Sequence, residues 1–571
     1  MVATRERVTQ RAGAAIVEAL VAEHVEVVFG LVGSHVIEIY DALVDAPQLR
    51  HITVKHEGGA SCMADAYGRL TGKPGVCVVT AGPGATNSLT GVAQAYMAAS
   101  PLIHICGAVP TDGSRESFHG VDNPEFLMPM FEQVTKWSVS VKDMREIPSV
   151  MAKAFQIATS GRPGPVHIEI PQDVLTGDAR EMDVYEPLPP LVSPLDRTDV
   201  ERLVERIAAS ERPVIWAGKG VRAAFADVEL GELAELLEAP VILAADAAGA
   251  LPDVHPLAVG QPSLYARTTY QRELLQGADL VLAIGERGGT VHADQLFGIT
   301  SAPVAGIWLA NPGDGPDERG DVGAAADIRA GLDQLIEALG GQQRHRNEAQ
   351  RARIAREKRG LPAKVMESAR RDYADHQPMH YGLAIEALRE MIDDDVICLG
   401  DIGQHNQWTR LLIETVNRNR FLPEGFWGAM GFGLPAAMAA KLAFPTKKVL
   451  TVTGDGCFLM ASSEFSTAVE YGLNPVVVIL NDRQYGMIVG MQESTYGRIS
   501  QTALDGPDFV AFARSFGGDG VRVERPEEMR AALERGFQSD VIFVIDALCD
   551  WRVPSYDLDA AARELREGDG R

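Results

Sequence analysis

The chain has 571 residues, of which 46% are hydrophobic and 23% charged, and its 53 basic and 78 acidic residues give a formal net charge of −25. This length predicts three to four domains, and the acidic balance disfavours binding to nucleic acid or to an anionic membrane surface. No apolar stretch approaches the roughly 20 residues that span a bilayer. The six cysteines are scattered, without zinc-ligand spacing or a Cys-x-x-Cys pair, and the first residues do not read as a signal peptide. We therefore expect a cytoplasmic protein with reduced cysteines.

Short apolar runs alternate with helical periodicity along most of the chain, which predicts parallel α/β layers. An amphipathic helix is expected within MVATRERVTQRAGAAIVEAL, at the start of a first domain covering residues 1–184. The strand candidates of this domain are VVFGLVG, ITVKHE, GVCVVTAGPG, PLIHICGAV and GPVHIEIP. The proline-rich stretch YEPLPPLVSPLDRTD, residues 185–199, predicts a linker.

Two further sets of apolar runs predict a second domain over residues 198–340 and a third over residues 376–550. Their strand candidates are RPVIWAGKG, APVILAA, ADLVLAIGE and VAGIWLA in the second domain, and DDVICLGD, KVLTVTGDG, PVVVILND and DVIFVIDAL in the third. The charged stretch 341–375 predicts a helical linker, and the polar tail 551–571 is a candidate lid. The predicted fold class is α/β, with three doubly wound parallel-sheet domains.

A Gly-Asp-Gly sequence ends the strand candidate KVLTVTGDG and places Asp455 at the end of a buried strand. Asn481 follows the next strand candidate, 26 positions later (481 − 455), a distance that fits one βαβ unit. Carboxylate, amide and carbonyl oxygens suit Mg²⁺ that bridges a diphosphate, and the glycines allow the backbone to approach a phosphate closely. The alternative is that Gly-Asp-Gly is only a tight turn.

The Gly-Asp-Gly start, the spacing and the closing Asn resemble the thiamine diphosphate (ThDP) motif of the decarboxylase and acetolactate synthase superfamily. The resemblance covers nearly the whole chain, in the domain order pyrimidine-binding, central and diphosphate-binding. It implies ThDP and Mg²⁺ as cofactors, with Asp455, Asn481 and the backbone carbonyl of Arg483 as metal ligands. The other cofactor contacts that it implies in this region are Gly454, Gly456, Cys457, Tyr485, Gly486 and Met487.

Two segments of the third domain extend the resemblance. GAMGFGLPAAMAA resembles the stretch whose methionine, here Met430, wedges beneath the cofactor and forces it into a V shape. DIGQHNQW resembles the loop in which a glutamine and a histidine, here Gln404 and His405, contact the diphosphate. The alternative for His405 is a purely structural role.

A segment of the first domain, VKHEGGASCMADAYGRLTGKPG, resembles the one that carries the acid required by the cofactor, here Glu57. In the family this carboxylate hydrogen-bonds the pyrimidine ring and favours the tautomer that removes the thiazolium proton. The alternative is an acid that stabilises a helix dipole. In this family the two domains that share one cofactor come from different subunits, so the resemblance implies at least a homodimer, with a homotetramer common among relatives.

The central domain contains AGKGVRA, which roughly imitates a dinucleotide fingerprint after a strand. In relatives this domain binds FAD, binds ADP, or has only a structural role. All three possibilities remain open from the sequence.

Three residues are candidates for selecting the substrate. Acetolactate synthases carry a Gln-Trp pair after the metal loop, whereas this chain has Glu493 and no tryptophan in YGMIVGMQESTYGRI. His35 occupies the position of the active-site histidine of benzaldehyde-lyase-type enzymes, and His119 stands where many relatives have a glutamine that faces the cofactor. The alternatives are a surface position for Glu493 and packing roles for both histidines.

An acid or histidine near the cofactor, without the synthase tryptophan, fits an enzyme that breaks a carbon–carbon bond, and in this the chain most resembles the 2-hydroxyacyl-CoA lyase and oxalyl-CoA decarboxylase branch. The resemblance implies cleavage of a 2-hydroxyacyl-CoA, such as 2-hydroxyisobutyryl-CoA in actinobacterial members, to a ketone or aldehyde and formyl-CoA. Glu493 or a histidine would remove the hydroxyl proton, and the ADP part of CoA would bind the central domain. One alternative is a 2-keto-acid decarboxylase or carboligase of the acetolactate synthase or benzaldehyde lyase type. Another is a catalytically inactive nucleotide-binding regulatory protein.

Overall fold

The computed structural model contains three six-stranded sheets whose registered strand pairs are all parallel. This arrangement confirms the predicted α/β class with three doubly wound sheets. The residues that the structure describes are 11–111, 118–121, 123, 125–178, 180, 182–244, 246–260, 269–285, 300–309, 322–341, 344–415, 417, 421–423, 425 and 427–553.

The first sheet has the strand order β2-β1-β3-β4-β6-β5. Its strands are β1 Val27–Gly30, β2 Arg50–Thr53, β3 Gly75–Val79, β4 Leu102–Ala108, β5 Trp137–Ser140 and β6 Pro165–Pro171. The helices of this region are Ala12–Ala22, Ile37–Leu43, Glu57–Thr71, Pro83–Ala98, Met128–Glu132, Ile147–Thr159 and Gln172–Leu175.

The second sheet has the order β12-β11-β10-β7-β8-β9, which is the 3-2-1-4-5-6 order of dinucleotide-binding folds read from the opposite edge. Its strands are β7 Pro213–Ala217, β8 Val241–Leu243, β9 Ala258–Gly260, β10 Leu280–Ile284, β11 Val304–Leu309 and β12 Val322–Ala326. The helices here are Arg197–Ala209, Lys219–Ala223, Asp227–Leu237, Thr269–Gly277 and Ile328–Ala338. The charged linker forms the predicted helix, over Glu348–Tyr373.

The third sheet has the order β14-β13-β15-β16-β18-β17 and so repeats the topology of the first. Its strands are β13 Val396–Gly400, β14 Phe421–Leu422, β15 Lys448–Gly454, β16 Val476–Asn481, β17 Asp519–Val523 and β18 Phe543–Leu548. The helices are Tyr381–Arg389, Gln404–Leu412, Gly433–Ala443, Asp455–Ala461, Glu464–Glu470, Gly486–Tyr496, Phe509–Ser515 and Met529–Phe537.

The chain divides into two compact units, Met1–Leu191 and Val192–Arg571. In the first unit, apolar side chains of β3, β4 and β6 pack against the helices Ala12–Ala22 and Ile147–Thr159. In the second unit, a core around β13, β15, β16 and β18 packs against the helices Tyr381–Arg389 and Met529–Phe537. No helix among the described residues combines the length and the apolar character needed to cross a membrane.

Candidate cofactor site

A crevice opens in the third sheet between the carboxyl ends of β13 and β15. The chain leaves β13 towards β14 and leaves β15 towards β16, in opposite directions, which makes this a topological switch point where ligands bind in α/β sheets. A cavity of about 250 Å³ lies there. Of the residues predicted to contact the cofactor, those that line it are Gln404, His405, Met430, Gly454, Asp455, Gly456, Cys457, Tyr485, Gly486 and Met487.

Asp455 lies directly after β15 and begins a short helix. Its Oδ1 accepts a hydrogen bond from the Gly456 backbone N–H at 2.8 Å, and its Oδ2 accepts one from the Arg483 N–H at 2.8 Å. Burial raises the pKa of this carboxyl group to about 6, and the nearby Asp546 carboxylate adds to the shift. The two backbone donors therefore orient the carboxyl group of Asp455. A nearby positive charge would stabilise its ionised form.

Asn481 is the last residue of β16, and its side chain is held from one side only. Its Nδ2 donates to Asp546 Oδ1 at 2.8 Å, while its Oδ1 is buried and has no hydrogen-bond partner among the described residues. An orphaned amide oxygen is costly in the interior unless a cation or another donor meets it. The oxygen-rich pair formed with Asp455 suits Mg²⁺.

The third predicted ligand is the backbone carbonyl of Arg483, a residue with φ of 57°. This carbonyl accepts a hydrogen bond from the Leu504 N–H at 2.8 Å. Because a carbonyl oxygen has two lone pairs, one remains for a metal. The three donors thus fit a divalent cation. One of them, the Arg483 carbonyl, also accepts a backbone hydrogen bond.

Asp546, on β18, is a functional candidate that the motif search missed. It is fully buried, and its Oδ2 accepts a hydrogen bond from Arg522 Nε at 3.0 Å. The arginine and Asn481 thus hold the two oxygens of this carboxylate. The sequence signal for it is an acid inside the apolar run DVIFVIDAL.

Gln404 and His405 begin the helix that follows β13. Gln404 Nε2 donates to the Val553 carbonyl at 2.9 Å. Gln404 Oε1 and His405 Nε2 are buried and have no hydrogen-bond partner within the described part of the chain. Burial lowers the pKa of His405 to about 4, so the ring is neutral at pH 7. Both side chains line the cavity and have polar atoms available for a ligand.

Glycines leave room for a ligand's phosphates at two places. A Cβ on Gly454 would lie 3.3 Å from the ring of His405, and one on Gly486 would lie 2.5 Å from Asp482 Oδ2 and 2.9 Å from Gln404 Oε1. The helix that begins at Gly486 directs its amino terminus at the cavity, as does the one that begins at Gln404. Helix amino termini favour anions, so the site fits a diphosphate.

Asp482 follows the predicted metal ligand and also lines the cavity. Tyr381 donates a short hydrogen bond to its Oδ2, and the Gln484 N–H donates to its Oδ1 at 2.9 Å. Burial and the charge of Asp455 raise the pKa of Asp482 to about 7. No sequence signal pointed to Tyr381. The other lining residues not predicted are Ile402, Gly403, Gly428, Leu480, Gln484 and Ile488.

The loop that carries Met430 is tied to the end of β13 by Asp401. Asp401 Oδ1 accepts from the Gly431 N–H at 3.2 Å, and its Oδ2 accepts from the Gly433 N–H at 2.9 Å. Asp401 is fully buried, so these bonds fix the loop firmly against the sheet. Met430 is thereby held at the wall of the cavity.

In the first unit, Glu57 begins the helix Glu57–Thr71, after β2. Its carboxyl group is buried, and its Oε2 accepts a hydrogen bond from Asn87 Nδ2 at 3.0 Å. Asn87 lies in the first turns of the helix Pro83–Ala98, which follows β3. The helix of Glu57 is capped by the His56 side chain, which accepts from the Gly58 N–H. Glu57 is therefore positioned by two helices, the one that it begins and the one that carries Asn87.

His35 and His119 lie together at the carboxyl edge of the first sheet, with ring centroids 5.2 Å apart. The Nδ1 of His35 is 2.9 Å from Ser34 Oγ, and its backbone N–H points to Thr80 Oγ1 at 3.5 Å. The Nδ1 of His119 is buried and lacks a hydrogen-bond partner among the residues that the structure describes. The two predicted histidines thus form one pair, on the unit that also carries Glu57.

Three further features stay predictions: the role of Glu493, ligand binding by the central domain, and the lid. Glu493 is exposed on the helix Gly486–Tyr496 and is not among the cavity-lining residues. AGKGVRA joins β7 to the helix Lys219–Ala223, where Lys219 Nζ lies 3.4 Å from Asp246 Oδ2, and binding of FAD, ADP or CoA there stays a prediction. The candidate lid lies outside the described residues from position 554 onwards.

Three parallel sheets in this order, with a ligand cavity at the switch point of the third, define an α/β enzyme of the ThDP-binding fold. Comparison with known protein families gives matches in each of the three regions that contain a sheet. Residues 10–126 match the thiamine pyrophosphate enzyme N-terminal TPP binding domain, residues 200–335 its central domain, and residues 401–547 its C-terminal TPP binding domain. Thiamine pyrophosphate is another name for ThDP.

The chain belongs to the thiamine pyrophosphate enzyme family. It is 35% identical over 558 residues to a probable acetolactate synthase large subunit of Methanocaldococcus jannaschii, covering 94% of this chain and 91% of the relative. It is 35% identical to an acetolactate synthase of Mycobacterium bovis, covering 90% and 84%. It is 32% identical to the acetolactate synthase isozyme 3 large subunit of Escherichia coli, covering 93% of both chains.

Proposed function

We propose that this protein is a ThDP- and Mg²⁺-dependent enzyme that joins 2-keto acids, with an acetolactate-synthase-type reaction on pyruvate as the first candidate. The observation that carries the proposal is the buried Asn481 Oδ1, which has no hydrogen-bond partner among the described residues and ends β16, the strand paired with β15, after which Asp455 lies. The names of three relatives that match over nearly their whole length support the reaction type. This proposal replaces the lyase that the sequence favoured.

The residues around the third sheet have separate roles in this proposal. Asp455, Asn481 and the Arg483 carbonyl would hold the metal, while Gln404 and His405 would contact the diphosphate. Met430, fixed through Asp401, would support the cofactor from the wall of the cavity. Bound there, ThDP would supply a carbon nucleophile for the keto group of the substrate.

Proton handling belongs to the first unit in this proposal. Glu57 hydrogen-bonds the pyrimidine of the cofactor, and Asn87 keeps its carboxylate in place. His35 and His119 serve the substrate, because two adjacent imidazoles can hold and pass a proton near neutral pH. Following the family arrangement, we propose a homodimer as the minimum active unit, with a homotetramer as its further assembly.

One observation still favours the lyase, namely the absence of the synthase tryptophan near Glu493. The position of Glu493 gives this alternative no support, because its side chain is exposed and does not line the cavity. A carboligase needs no acid at that position. The 2-hydroxyacyl-CoA lyase is therefore the second candidate.

A substrate panel distinguishes the two. The full-length protein with ThDP and Mg²⁺ is incubated with pyruvate, with other 2-keto acids or with 2-hydroxyisobutyryl-CoA, and the products are read by mass spectrometry. We expect CO₂ and acetolactate from pyruvate and no formyl-CoA. Formyl-CoA formation without any product from 2-keto acids would overturn the proposal in favour of the lyase.

A further inference from the structure

A cluster of polar side chains lies buried in the first sheet, on the neighbouring strands β4 and β6. In the parallel register His104 is opposite His167, and Cys106 is opposite Glu169. Residues two apart on a strand face the same side, so all four side chains project from one face of the sheet. The first three are fully buried, and Glu169 is 2% exposed. These residues are separate from those assigned to ThDP and Mg²⁺.

A chain of hydrogen bonds links the two histidines. Ser88 Oγ donates to the Ala85 carbonyl at 2.7 Å and lies 2.7 Å from His104 Nε2. His104 Nδ1 and His167 Nδ1 lie 2.8 Å apart, so one of them donates to the other. When the Ser88 proton points to Ala85 and both rings are neutral, His104 Nε2 donates to Ser88 and His167 Nδ1 donates to His104.

In that arrangement His167 Nε2 carries a lone pair, because a neutral imidazole has a single N–H. The nitrogen lies 4.0 Å from Cys106 Sγ. The ligand atoms of His167, Cys106 and Glu169 all lie within 4.8 Å of one another.

The carboxyl group of Glu169 supplies the third donor. Its Oε1 accepts from Ser140 Oγ at 3.3 Å, whereas its Oε2 is buried and has no hydrogen-bond partner among the described residues. An unpartnered, fully desolvated carboxyl oxygen beside a thiol and an imidazole lone pair is unfavourable unless something satisfies it.

We propose that Cys106, His167 and Glu169 form a binding site for a divalent cation of the Zn²⁺ class. Thiolate, imidazole nitrogen and carboxylate oxygen are the donors that Zn²⁺ accepts in proteins. Tetrahedral bonds of about 2.0–2.3 Å separate such ligand atoms by roughly 3.5 Å, so side-chain rotations that close the gaps by about 1 Å suffice. One thiolate and one carboxylate also neutralise the charge of the cation in this buried place.

His104 is a positioning residue for this site, because its Nδ1 orients the ring and sets the tautomer of His167. The bound cation joins β4 to β6 and leaves its fourth position to water or a small ligand. Because the folded chain alone presents this donor set, binding raises the stability of the first unit.

Cobalt substitution tests the site on the full-length protein. Co²⁺ bound to a thiolate gives a near-ultraviolet charge-transfer band, which the oxygen ligands proposed for Mg²⁺ do not give. We expect this band to appear on titration with CoCl₂, to be displaced by ZnCl₂, and to be lost in Cys106→Ala. The matched control is Cys457→Ala, which removes the buried thiol of the cofactor cavity and keeps the band.

Two further variants keep the test decisive if Cys106→Ala does not fold. Glu169→Gln and His104→Phe should each bind Co²⁺ about tenfold to a hundredfold more weakly than the wild type while the charge-transfer band keeps its position. Absence of the band in the wild type, or an unchanged band in Cys106→Ala, would overturn the proposal. ThDP binding is measured in parallel, so failure of this site is distinguishable from failure of the proposed function.

Discussion

The Nδ2 of Asn481 donates a hydrogen bond to Asp546 Oδ1 at 2.8 Å, and the amide oxygen of Asn481 is buried without a hydrogen-bond partner among the described residues. Asp546 is itself held by Arg522, whose Nε lies 3.0 Å from its Oδ2. The carboxylate therefore selects which end of the amide is left for the proposed metal. Neighbours of this kind typically change metal affinity when they are altered.

Asp546→Asn should weaken the binding of Mg²⁺ in the presence of ThDP by about tenfold to a hundredfold. The substituted amide can present an N–H₂ group to Asn481, which allows the orientation of that side chain to invert. Isothermal titration calorimetry measures the change. The control is Asp508→Asn, because Asp508 also pairs with Arg522, at 3.3 Å, but caps the helix Phe509–Ser515 instead of holding Asn481. Equal affinity in the two variants would contradict this role for Asp546.

Glu57→Gln should reduce turnover of pyruvate by at least about a hundredfold while ThDP still binds, because an amide cannot replace a proton-exchanging carboxylate. Steady-state kinetics and calorimetry separate the two effects. Glu38→Gln is the matched control, since Glu38 is a similarly buried acid of the same unit. Full activity in Glu57→Gln would contradict the assignment.

Gly486→Ala should raise the dissociation constant of ThDP by about tenfold, a loss of about 1.4 kcal/mol. The added Cβ would lie 2.5 Å from Asp482 Oδ2 and 2.9 Å from Gln404 Oε1, so the phosphate side of the cavity has to shift. Gly360→Ala is the control, because nothing lies within 4 Å of its added Cβ. Unchanged ThDP affinity in Gly486→Ala would show that this glycine does not shape the cofactor site.

Acid should destabilise the first unit partly through His51. Burial lowers its pKa to about 4, whereas the unfolded chain takes up a proton near pH 6.5. The unfolded state therefore gains protons first as the pH falls, and stability is lost from about pH 6.5 down to about pH 4. We expect the free energy of unfolding, measured in urea, to fall between pH 7 and pH 5 in both proteins. The fall should be about 1–2 kcal/mol smaller in His51→Gln than in the wild type.

The control for that measurement is His345→Gln, because His345 is exposed. Its loss of stability between the two pH values should match that of the wild type. An equally large loss in His51→Gln would mean that His51 is not the group that titrates.

The central strands could be predicted from sequence, whereas five edge strands could not. Central strands such as β15 and β16 are almost entirely buried and consist mostly of apolar residues. The missed strands β5, β9, β12, β14 and β17 all lie at sheet edges. These strands are short or combine polar and apolar residues, as in WSVS and DGVRV. An edge strand is less enclosed than a central one, so its sequence needs fewer apolar residues.

Many of the residues that line the cavity could be predicted because short motifs mark the segments that follow β13, β15 and β16. Their partners could not, because they are brought in from elsewhere in the chain. Asp546 lies 65 positions after Asn481, and Tyr381 lies 101 positions before Asp482. Only the strand order β15-β16-β18 places Asp546 beside Asn481. The choice of substrate stays a prediction for the same reason, since the position of Glu493 depends on its helix.

Calorimetric titration of ThDP with Mg²⁺ into Asn481→Ala, compared with Asn474→Ala, tests the central claim most directly. Asn474 also lies close to β16, two positions before its first residue, and its Nδ2 donates to the Ser539 carbonyl at 3.0 Å. We predict that Asn474→Ala binds ThDP as the wild type does, and that Asn481→Ala loses Mg²⁺-dependent binding by at least about tenfold. Wild-type binding by Asn481→Ala would contradict the metal and diphosphate site described for this protein.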